Sequence, residues 1–328
     1  MNATIHEELS SLSGPSETTR TLAKYCWIDG EIVELEKALV PAMEPMHLAI
    51  FEGIRAYVEG DILGEGNLNI IQWKSHVDRL WRTAAVFGLD IPYTKEELLE
   101  ATRRTIKAND CKTNIYLQPK IWPKRGAGRD LVRDLHVLIP VWRRETKLGN
   151  GNPRFSKKRR LMVSSWRRIS SDALPPQAKA FANYANSALA IREAARLGFD
   201  GALFLDQRGF LSEGTGACIM TVRNEKIITP PVTASILESV TRDALLKFVP
   251  EDLGIAAETK DITRAELYAS DEAFMCGTGD GEVTPITSVD DMPFGDEYPG
   301  PITRRIAEHY AKIVAGKVEK RKGWLTPV

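Results

Sequence analysis

The chain has 328 residues, with 44 lysines and arginines balancing 44 aspartates and glutamates. This neutral balance gives no general attraction to nucleic acid or to an anionic membrane surface, and no apolar run is long enough to span a bilayer. The length favours two domains. The four cysteines lack the spacing of a metal site and are typical of reduced thiols, so we predict a cytoplasmic protein without a bound metal.

The first half of the chain predicts a small α/β domain over residues 20–147. Residues 1–19 carry no apolar signal segment, and we expect a loose tail there. Ser75 is the expected N-cap of the first helix, and Thr94 opens the second with a capping-box pattern. The predicted strands are 26–28, 31–33, 51–57, 68–71, 115–122 and 135–142, and the predicted helices are 75–87 and 94–108.

The second half predicts a larger domain over residues 155–328, after a polar linker at 148–154. Short strands joined by tight turns alternate with single helices, which favours a hairpin-rich, barrel-like sheet over the regular βαβ order of a doubly wound fold. The fold class is therefore a mixed α/β (α+β) fold of two domains. Its predicted helices are 183–197, 241–248, 263–268 and 301–314.

Two residues in this half suit the chemistry of a carbonyl cofactor. Lys179 precedes a predicted helix and is surrounded by small alanines. A catalytic lysine must be desolvated so that its pKa falls towards the working pH, and its amine can then act as nucleophile and proton carrier. Glu213 follows a predicted hairpin in Ser-Glu-Gly-Thr-Gly, where a buried carboxylate could stabilise a protonated pyridine nitrogen. Taken singly, Lys179 could also be an ordinary solvated lysine on the surface. Glu213 could likewise be an exposed residue beside a turn.

Further polar residues suit the remaining groups of such a cofactor. Tyr184, five residues after Lys179, could donate to a phenolate oxygen or be an ordinary core tyrosine. Val240 and Thr241 open a predicted helix, whose free N–H groups suit a phosphate. Thr278 lies in a second glycine-rich turn, and Arg79 is a candidate cation. N-caps, turns and surface arginines also account for these residues.

Several motifs in this order resemble one family, the branched-chain amino acid aminotransferases. They are fold type IV (class IV) enzymes that use pyridoxal 5'-phosphate. The resemblance covers nearly everything after the tail. It rests on Trp-Ile-Asp-Gly-Glu at 27–31, Phe-Glu-Gly-Ile-Arg at 51–55, Lys-Ala-x-x-Asn-Tyr at 179–184 and Ser-Glu-Gly-x-Gly at 212–216.

The resemblance implies a role for each candidate. Lys179 would hold pyridoxal phosphate as a Schiff base and shuttle the proton, Glu213 would hold the pyridine nitrogen, and Tyr184 would meet the ring oxygen. The implied phosphate ligands are Arg79, Val240, Thr241 and Thr278. The implied partners are a small-molecule amino donor, a 2-oxo acid acceptor and a second copy of the chain, in a homodimer with shared active sites.

The implied substrate pocket departs from the family pattern. Phe51, Gly53, Tyr116 and Gly279 would line it, but the family's Tyr-x-Arg-Pro strand is Tyr-Leu-Gln-Pro here, so Gln118 cannot form an ion pair with a carboxylate. We therefore expect a substrate shifted from leucine, isoleucine and valine. Replacement charge is expected from basic residues that could equally be solvated: Arg125, Arg129, Arg143 or Arg144.

Other functions remain open from the sequence. An (R)-amine or D-amino acid transaminase would keep Lys179 and Glu213 and change the pocket around Gln118. A lyase of the aminodeoxychorismate type would use the same cofactor. In a non-catalytic ligand-binding protein, Lys179 would have no chemical role.

Overall fold

A computed structural model describes residues 20–41, 44–124, 134–144, 158–279 and 282–328. The predicted tail at 1–19, the segment 125–133 with Arg125 and Arg129, and the linker at 148–154 lie outside these ranges. The division of the chain into two domains at that linker therefore stays a prediction.

The described part of the chain alternates short strands with helices. The strands of its first half are β1 (Arg20–Leu22), β2 (Tyr25–Ile28), β3 (Glu31–Glu34), β4 (Ile50–Phe51), β5 (Ile54–Val58), β6 (Leu68–Ile71), β7 (Ile115–Leu117), β8 (Lys120–Pro123), β9 (Leu135–Ile139) and β10 (Val141–Arg144). Those of its second half are β11 (Arg160–Val163), β12 (Gly201–Leu205), β13 (Leu211–Gly214), β14 (Cys218–Arg223), β15 (Lys226–Thr229), β16 (Ala257–Thr259), β17 (Glu272–Cys276), β18 (Thr284–Ile286), β19 (Ser288–Val289), β20 (Met292–Pro293) and β21 (Leu325–Pro327). The α-helices are α1 (Trp73–Val86), α2 (Lys95–Ala108), α3 (Tyr184–Arg196), α4 (Val240–Leu253), α5 (Arg264–Tyr268) and α6 (Pro301–Val314).

The strands form mostly antiparallel sheets, as the mixed α/β reading predicts. The first half builds one sheet in the order β1-β10-β7-β5-β6-β21 and another in the order β3-β2-β9-β8-β4. The second half builds β13-β12-β11-β19-β20 and β16-β15-β14-β17-β18. The C-terminal strand β21 thus returns to a sheet of the first half, where it pairs antiparallel with β6.

Three segments of the first half cross from one sheet to the other at a break. The predicted continuous strands 51–57, 115–122 and 135–142 were wrong on this point, since each is split into two strands. Pro119 and Pro140 lie at two of the breaks, where the missing proline N–H interrupts the ladder. Gly53 lies at the third.

Helix boundaries follow the local capping chemistry. The capping box that Thr94 and Glu97 form at the start of α2 is confirmed. The predicted N-cap at Ser75 was wrong: α1 begins at Trp73, and Gln72 holds the N-cap position with a φ of 49° and no side-chain cap bond. The apolar residues of α1 were the stronger signal, because Trp73, Val77 and Leu80 are all buried against the first-half sheets.

Two large clusters of buried apolar side chains flank the centre of the molecule. One fills the first-half sheets and α1, and it includes Ala180. The other lies between β14, β17, α4 and α6 and includes Phe248, Phe274 and Tyr310. Cys218, on the strand after Glu213, belongs to this second cluster, so the segments that carry Lys179 and Glu213 are anchored in different cores. In the described ranges, no helix is long and apolar enough to cross a membrane.

Candidate active site

A cavity of about 420 Å³ lies where the first-half breaks meet the second-half turns. Its wall is built from β4, β7, α1, α3, β13 and the turn after β17. It gathers most of the residues that the sequence predicts for the site: Phe51, Gly53, Arg79, Tyr116, Gln118, Lys179, Tyr184, Glu213, Thr278 and Gly279.

Lys179 is fixed in this cavity by backbone pairing with the segment before Gly53. The Phe51 N–H donates to the Lys179 carbonyl at 3.0 Å, and the Phe181 N–H donates to Ala49 at 2.8 Å. The Lys179 Nζ lies 4.6 Å from the centre of the Phe51 ring and donates to the Tyr184 hydroxyl at 2.8 Å. The lysine amine is thereby held between an aromatic face and a phenol.

The electrostatics of Lys179 differ from the sequence-based expectation. Burial by itself lowers the pKa of Lys179, but the Tyr184 hydroxyl and the Glu52 carboxylate act against it, and the pKa of the free amine ends above its ordinary value. The expected fall in pKa is therefore absent among this chain's own groups, because the combined effect of Tyr184, Glu52 and Tyr116 outweighs that of burial and of Arg79.

Glu213 lies in the same cavity at the end of β13, and its two carboxylate oxygens have different surroundings. Oε1 accepts from Arg168 Nη2 at 2.9 Å and from the Leu237 N–H at 3.2 Å. Among the described residues, the contact of Oε2 is the weak thiol donor of Cys218, at 3.9 Å. Burial raises the pKa of Glu213, although Arg168 and Lys179 act against the rise. One oxygen thus remains able to accept a strong hydrogen bond.

Arg168 is a site residue that the sequence reasoning missed. It is buried, it lines the cavity, and its Nε has no hydrogen-bond partner among the described residues. Its backbone N–H donates to Leu205 at 3.0 Å, which places it beside β12 and β13. No local motif marks it, because Arg168 meets Glu213 only through sheet packing.

Arg79 projects from α1 to the other end of the cavity. Its guanidinium donates to both oxygens of Glu52, at 2.7 Å each, and to the Glu238 carbonyl at 2.8 Å. His76 also contacts Glu52, at 2.9 Å. Glu52 is fully buried; burial would raise its pKa, but Arg79 and His76 outweigh that effect and hold the pKa at about 2. Glu52, which sequence reasoning missed as a site residue, orients Arg79 by a two-point contact.

The start of α4 faces Arg79 from the second half. The Ser239 side chain accepts from the Arg242 N–H at 3.2 Å, and the Thr241 hydroxyl lies 3.4 Å from the Thr278 hydroxyl of the cavity wall. The first-turn N–H groups and positive dipole end of a helix suit an anion. Val240 shares this turn, but its side chain lines a neighbouring cavity of about 330 Å³ instead.

Phe51, Gly53, Tyr116 and Gln118 lie within two residues of a strand break, whereas Gly279 lies in the turn after β17. A side chain on Gly53 would overlap the Tyr116 hydroxyl, so the glycine gives Tyr116 its place in the wall. Arg143 does not line the cavity: its side chain is exposed, and its guanidinium donates to the Asn109 carbonyl. Arg125 and Arg129 lie outside the described residues, as does the side chain of Arg144.

The donor set of the cavity fits pyridoxal phosphate, the group that the sequence resemblance implies. A lysine amine beside a phenol suits the aldehyde and ring hydroxyl, and the free oxygen of Glu213 suits a pyridine N–H. Arg79 and the start of α4 suit the phosphate. The unpartnered, buried Arg168 Nε and Asn183 Oδ1 in the wall mark a polar interior. In the described ranges no group of three or more His, Cys, Asp or Glu side chains could hold a metal.

Comparisons with known proteins agree with this arrangement. Residues 49–289 match the family model described as amino-transferase class IV. The chain is 35% identical to a probable branched-chain-amino-acid aminotransferase of Aquifex aeolicus over 93% of this chain and 96% of that protein. It is 34% identical to the branched-chain-amino-acid aminotransferase of Escherichia coli K12 over 94% and 99%.

Solved structures give the same result. The branched-chain aminotransferase of Thermoproteus uzoniensis, solved with norvaline, superposes with a TM-score of 0.83 at 38% identity, over 93% of this chain and 99% of that one. The Thermobaculum terrenum enzyme in its PLP form has a TM-score of 0.83 at 36% identity, over 93% and 98%.

Proposed function

The chain belongs to the class IV aminotransferases, fold type IV enzymes that use pyridoxal 5'-phosphate, and we propose that Lys179 carries the cofactor and moves the proton. The observation that supports this assignment is the placement of Lys179 and Glu213 in one cavity, where the Lys179 amine is hydrogen-bonded to the Tyr184 hydroxyl. An amino acid donor and a 2-oxo acid acceptor are the proposed substrates.

Different residues of the chain hold different parts of the cofactor in this proposal. Pyridoxal phosphate, when bound, supplies an electron sink for the carbon that bears the amino group. Glu213 would hold the pyridine nitrogen in its protonated form, and Arg168 opposes the rise in the Glu213 pKa that burial causes, which favours the ionised carboxylate. Arg79 and the first turn of α4, with Thr241 and Thr278, anchor the phosphate. These contacts fix the geometry of the reacting atoms.

Lys179 is placed to take up and return a proton. Its amine must be free of charge to accept a proton from the substrate carbon, and the Tyr184 hydroxyl at 2.8 Å holds its position meanwhile. The Phe51 ring beneath Lys179 is buried and excludes water from that side of the amine. A positioned general base of this kind contributes about 10²- to 10⁴-fold in rate.

The substrate range is proposed to extend beyond leucine, isoleucine and valine. The relatives bear branched-chain names, but Gln118 offers the cavity a neutral amide where an arginine would form an ion pair. An altered pocket also keeps an (R)-amine or D-amino acid transaminase as a second candidate. A donor screen decides between them: preference for branched-chain L-amino acids over all other donors would refute the shifted range.

A homodimer with shared active sites, located in the cytoplasm, completes the proposal. Helix α3 starts in the cavity wall at Tyr184, and two apolar side chains further along it, Leu189 and Ile191, are 41% and 48% exposed. These two residues point to different sides of the helix, and a second copy of the chain that covers either of them would lie next to the site. Sedimentation analysis of the purified protein tests the dimer, and a monomer with full activity would refute it.

The role of Lys179 is tested by chemical trapping. Borohydride reduction of the wild-type holoenzyme should bleach its visible band and fix the cofactor to the peptide that contains Lys179, as mass spectrometry will show. Lys179→Ala should lose the trapped peptide and nearly all turnover, while the exposed Lys226→Ala serves as the matched control. Trapping at another lysine would refute the assignment.

A further inference from the structure

Lys120, a residue without an assigned role, lies at the margin of the cavity. It begins β8, where its Cα partner in the antiparallel strand β4 is Phe51. Directly opposed residues of an antiparallel pair extend from the same face of the sheet. Phe51 lines the cavity. The side chain of Lys120 therefore leaves its strand on the cavity side.

The ammonium of Lys120 has aromatic neighbours but no anionic one. Its Nζ lies 5.7 Å from the centre of the Trp142 ring and 5.6 Å from that of Phe181. These distances are near the outer limit of a cation–π contact. Among the described residues it makes no ion pair or hydrogen bond with a side chain. Partial burial lowers its pKa, as expected for a cation that lacks a counter-charge.

The other cations around the cavity are already engaged. Arg79 is paired with Glu52, and Arg168 with Glu213. The Lys179 amine donates a hydrogen bond to Tyr184, and it has the proposed role of carrying the cofactor. Among the described residues around the cavity, Lys120 is therefore the cation whose side chain has neither an ion pair nor a hydrogen bond.

Aromatic rings separate Lys120 from the reacting end of the cavity. The Lys179 amine lies over the Phe51 ring, the Phe51 ring contacts the Phe181 ring with centroids 5.0 Å apart, and Phe181 contacts Lys120. Phe181 lines the cavity, whereas Lys120 stands one ring behind that wall. A substrate whose reacting carbon is next to Lys179 would direct its far end, and not its reacting centre, towards Lys120.

We propose that Lys120 is a specificity-determining residue whose ammonium pairs with a second carboxylate at the far end of a dicarboxylic amino acid or 2-oxo acid. The inference rests on the proposed aminotransferase function and names one class of its substrates. On binding, the lysine exchanges weak contacts with two rings for a charge-assisted hydrogen bond, while the apolar faces of Phe51 and Phe181 still accept an uncharged side chain.

The test compares matched substrates in the holoenzyme. Glutamate and 2-oxoglutarate carry the second carboxylate, and norvaline and 2-oxopentanoate have the same chain length without it. Lys120→Met should raise KM for the dicarboxylates about 10- to 100-fold, the effect of losing one charge-assisted hydrogen bond. The same variant should change KM for the monocarboxylates less than about threefold. Its kcat should differ little from that of the wild type with both kinds of substrate. Lys120→Arg should restore most of the loss, and the exposed Lys107→Met is the control.

A binding experiment tests the role of Lys120 independently of enzyme turnover. Calorimetry on the holoenzyme should show that glutarate binds about 10-fold or more weakly to Lys120→Met than to the wild type, while pentanoate binding is unchanged. Equal effects on both acids, or no effect on glutarate, would overturn the role of Lys120. A wild-type protein that transfers no amino group from any amino acid would instead refute the proposed function, and the glutarate comparison would still decide the role of Lys120.

Discussion

Replacement of Glu52 by glutamine tests the buried pairing that orients Arg79. Glu52 has no exposed surface, and its carboxylate contacts both Arg79 and His76. A pKa lowered from 4.5 to about 2 corresponds to about 3 kcal/mol of interaction that the charged form gains on folding. Removal of one partner from a buried ion pair typically costs about 3–5 kcal/mol. We expect Glu52→Gln to lower the free energy of unfolding by about 3 kcal/mol at neutral pH.

The sign of the pH dependence follows from the direction of the pKa change. The Glu52 contribution is complete above pH 4.5, where the unfolded chain is ionised, and is lost as the pH falls from about 4.5 towards about 2. Because Glu52 also raises the pKa of His76, its loss adds to the stability gap between wild type and variant as the pH falls from 7 to 5, so the gap should not shrink in that range, and it should narrow below pH 4.5 as Glu52 itself is protonated.

Urea unfolding at fixed protein concentration, followed by tryptophan fluorescence between pH 7 and 3.5, measures this gap. Asp78→Asn is the matched control. Asp78 lies on the same helix as Arg79, but it pairs with Lys74 and Lys95 near the surface, so a cost below about 1 kcal/mol is expected. A Glu52→Gln cost as small as that of the control, or a gap that does not narrow in acid, would refute the reasoning.

Two further variants test the cavity wall. Arg168→Met removes the cation that opposes the raised pKa of Glu213, so the pKa of Glu213 should rise further. The acid limb of the pH profile of kcat should then move to higher pH, and kcat should fall about 10-fold. An acid limb at its wild-type pH would argue against the pairing of Arg168 with Glu213. Gly53→Ala should displace the Tyr116 hydroxyl and raise KM more than it lowers kcat, whereas Gly323→Ala, with open space around the added carbon, should leave steady-state kinetics unchanged.

The chemistry of the site could be predicted from local patterns in the sequence. Lys179 and Glu213 lie in short motifs, and the residue types of these motifs indicate the chemical role of the lysine amine and of the glutamate carboxylate. The capping box of Thr94 was equally visible, because it depends on residues three apart. Such features need no knowledge of distant parts of the chain.

Other features depended on contacts between distant segments. Arg168 and Glu213 are 45 positions apart in number (213 − 168 = 45) and meet only through the sheet, at 2.9 Å. The breaks at Gly53 and Pro119 lie inside segments that the sequence analysis predicts as continuous strands. The glycine and the proline mark a weak point, but periodicity does not show that the strand changes sheets there.

The sequence by itself determined the reactive groups, since an amine, a carboxylate and a phenol have the same chemistry wherever they lie. Only the tertiary structure decided their partners and protonation. It paired Glu52 with Arg79, left Lys120 between two rings, and raised rather than lowered the pKa of Lys179. The physical reason is that a pKa depends on burial and on charges within a few ångströms, and those neighbours come from segments far apart in the chain.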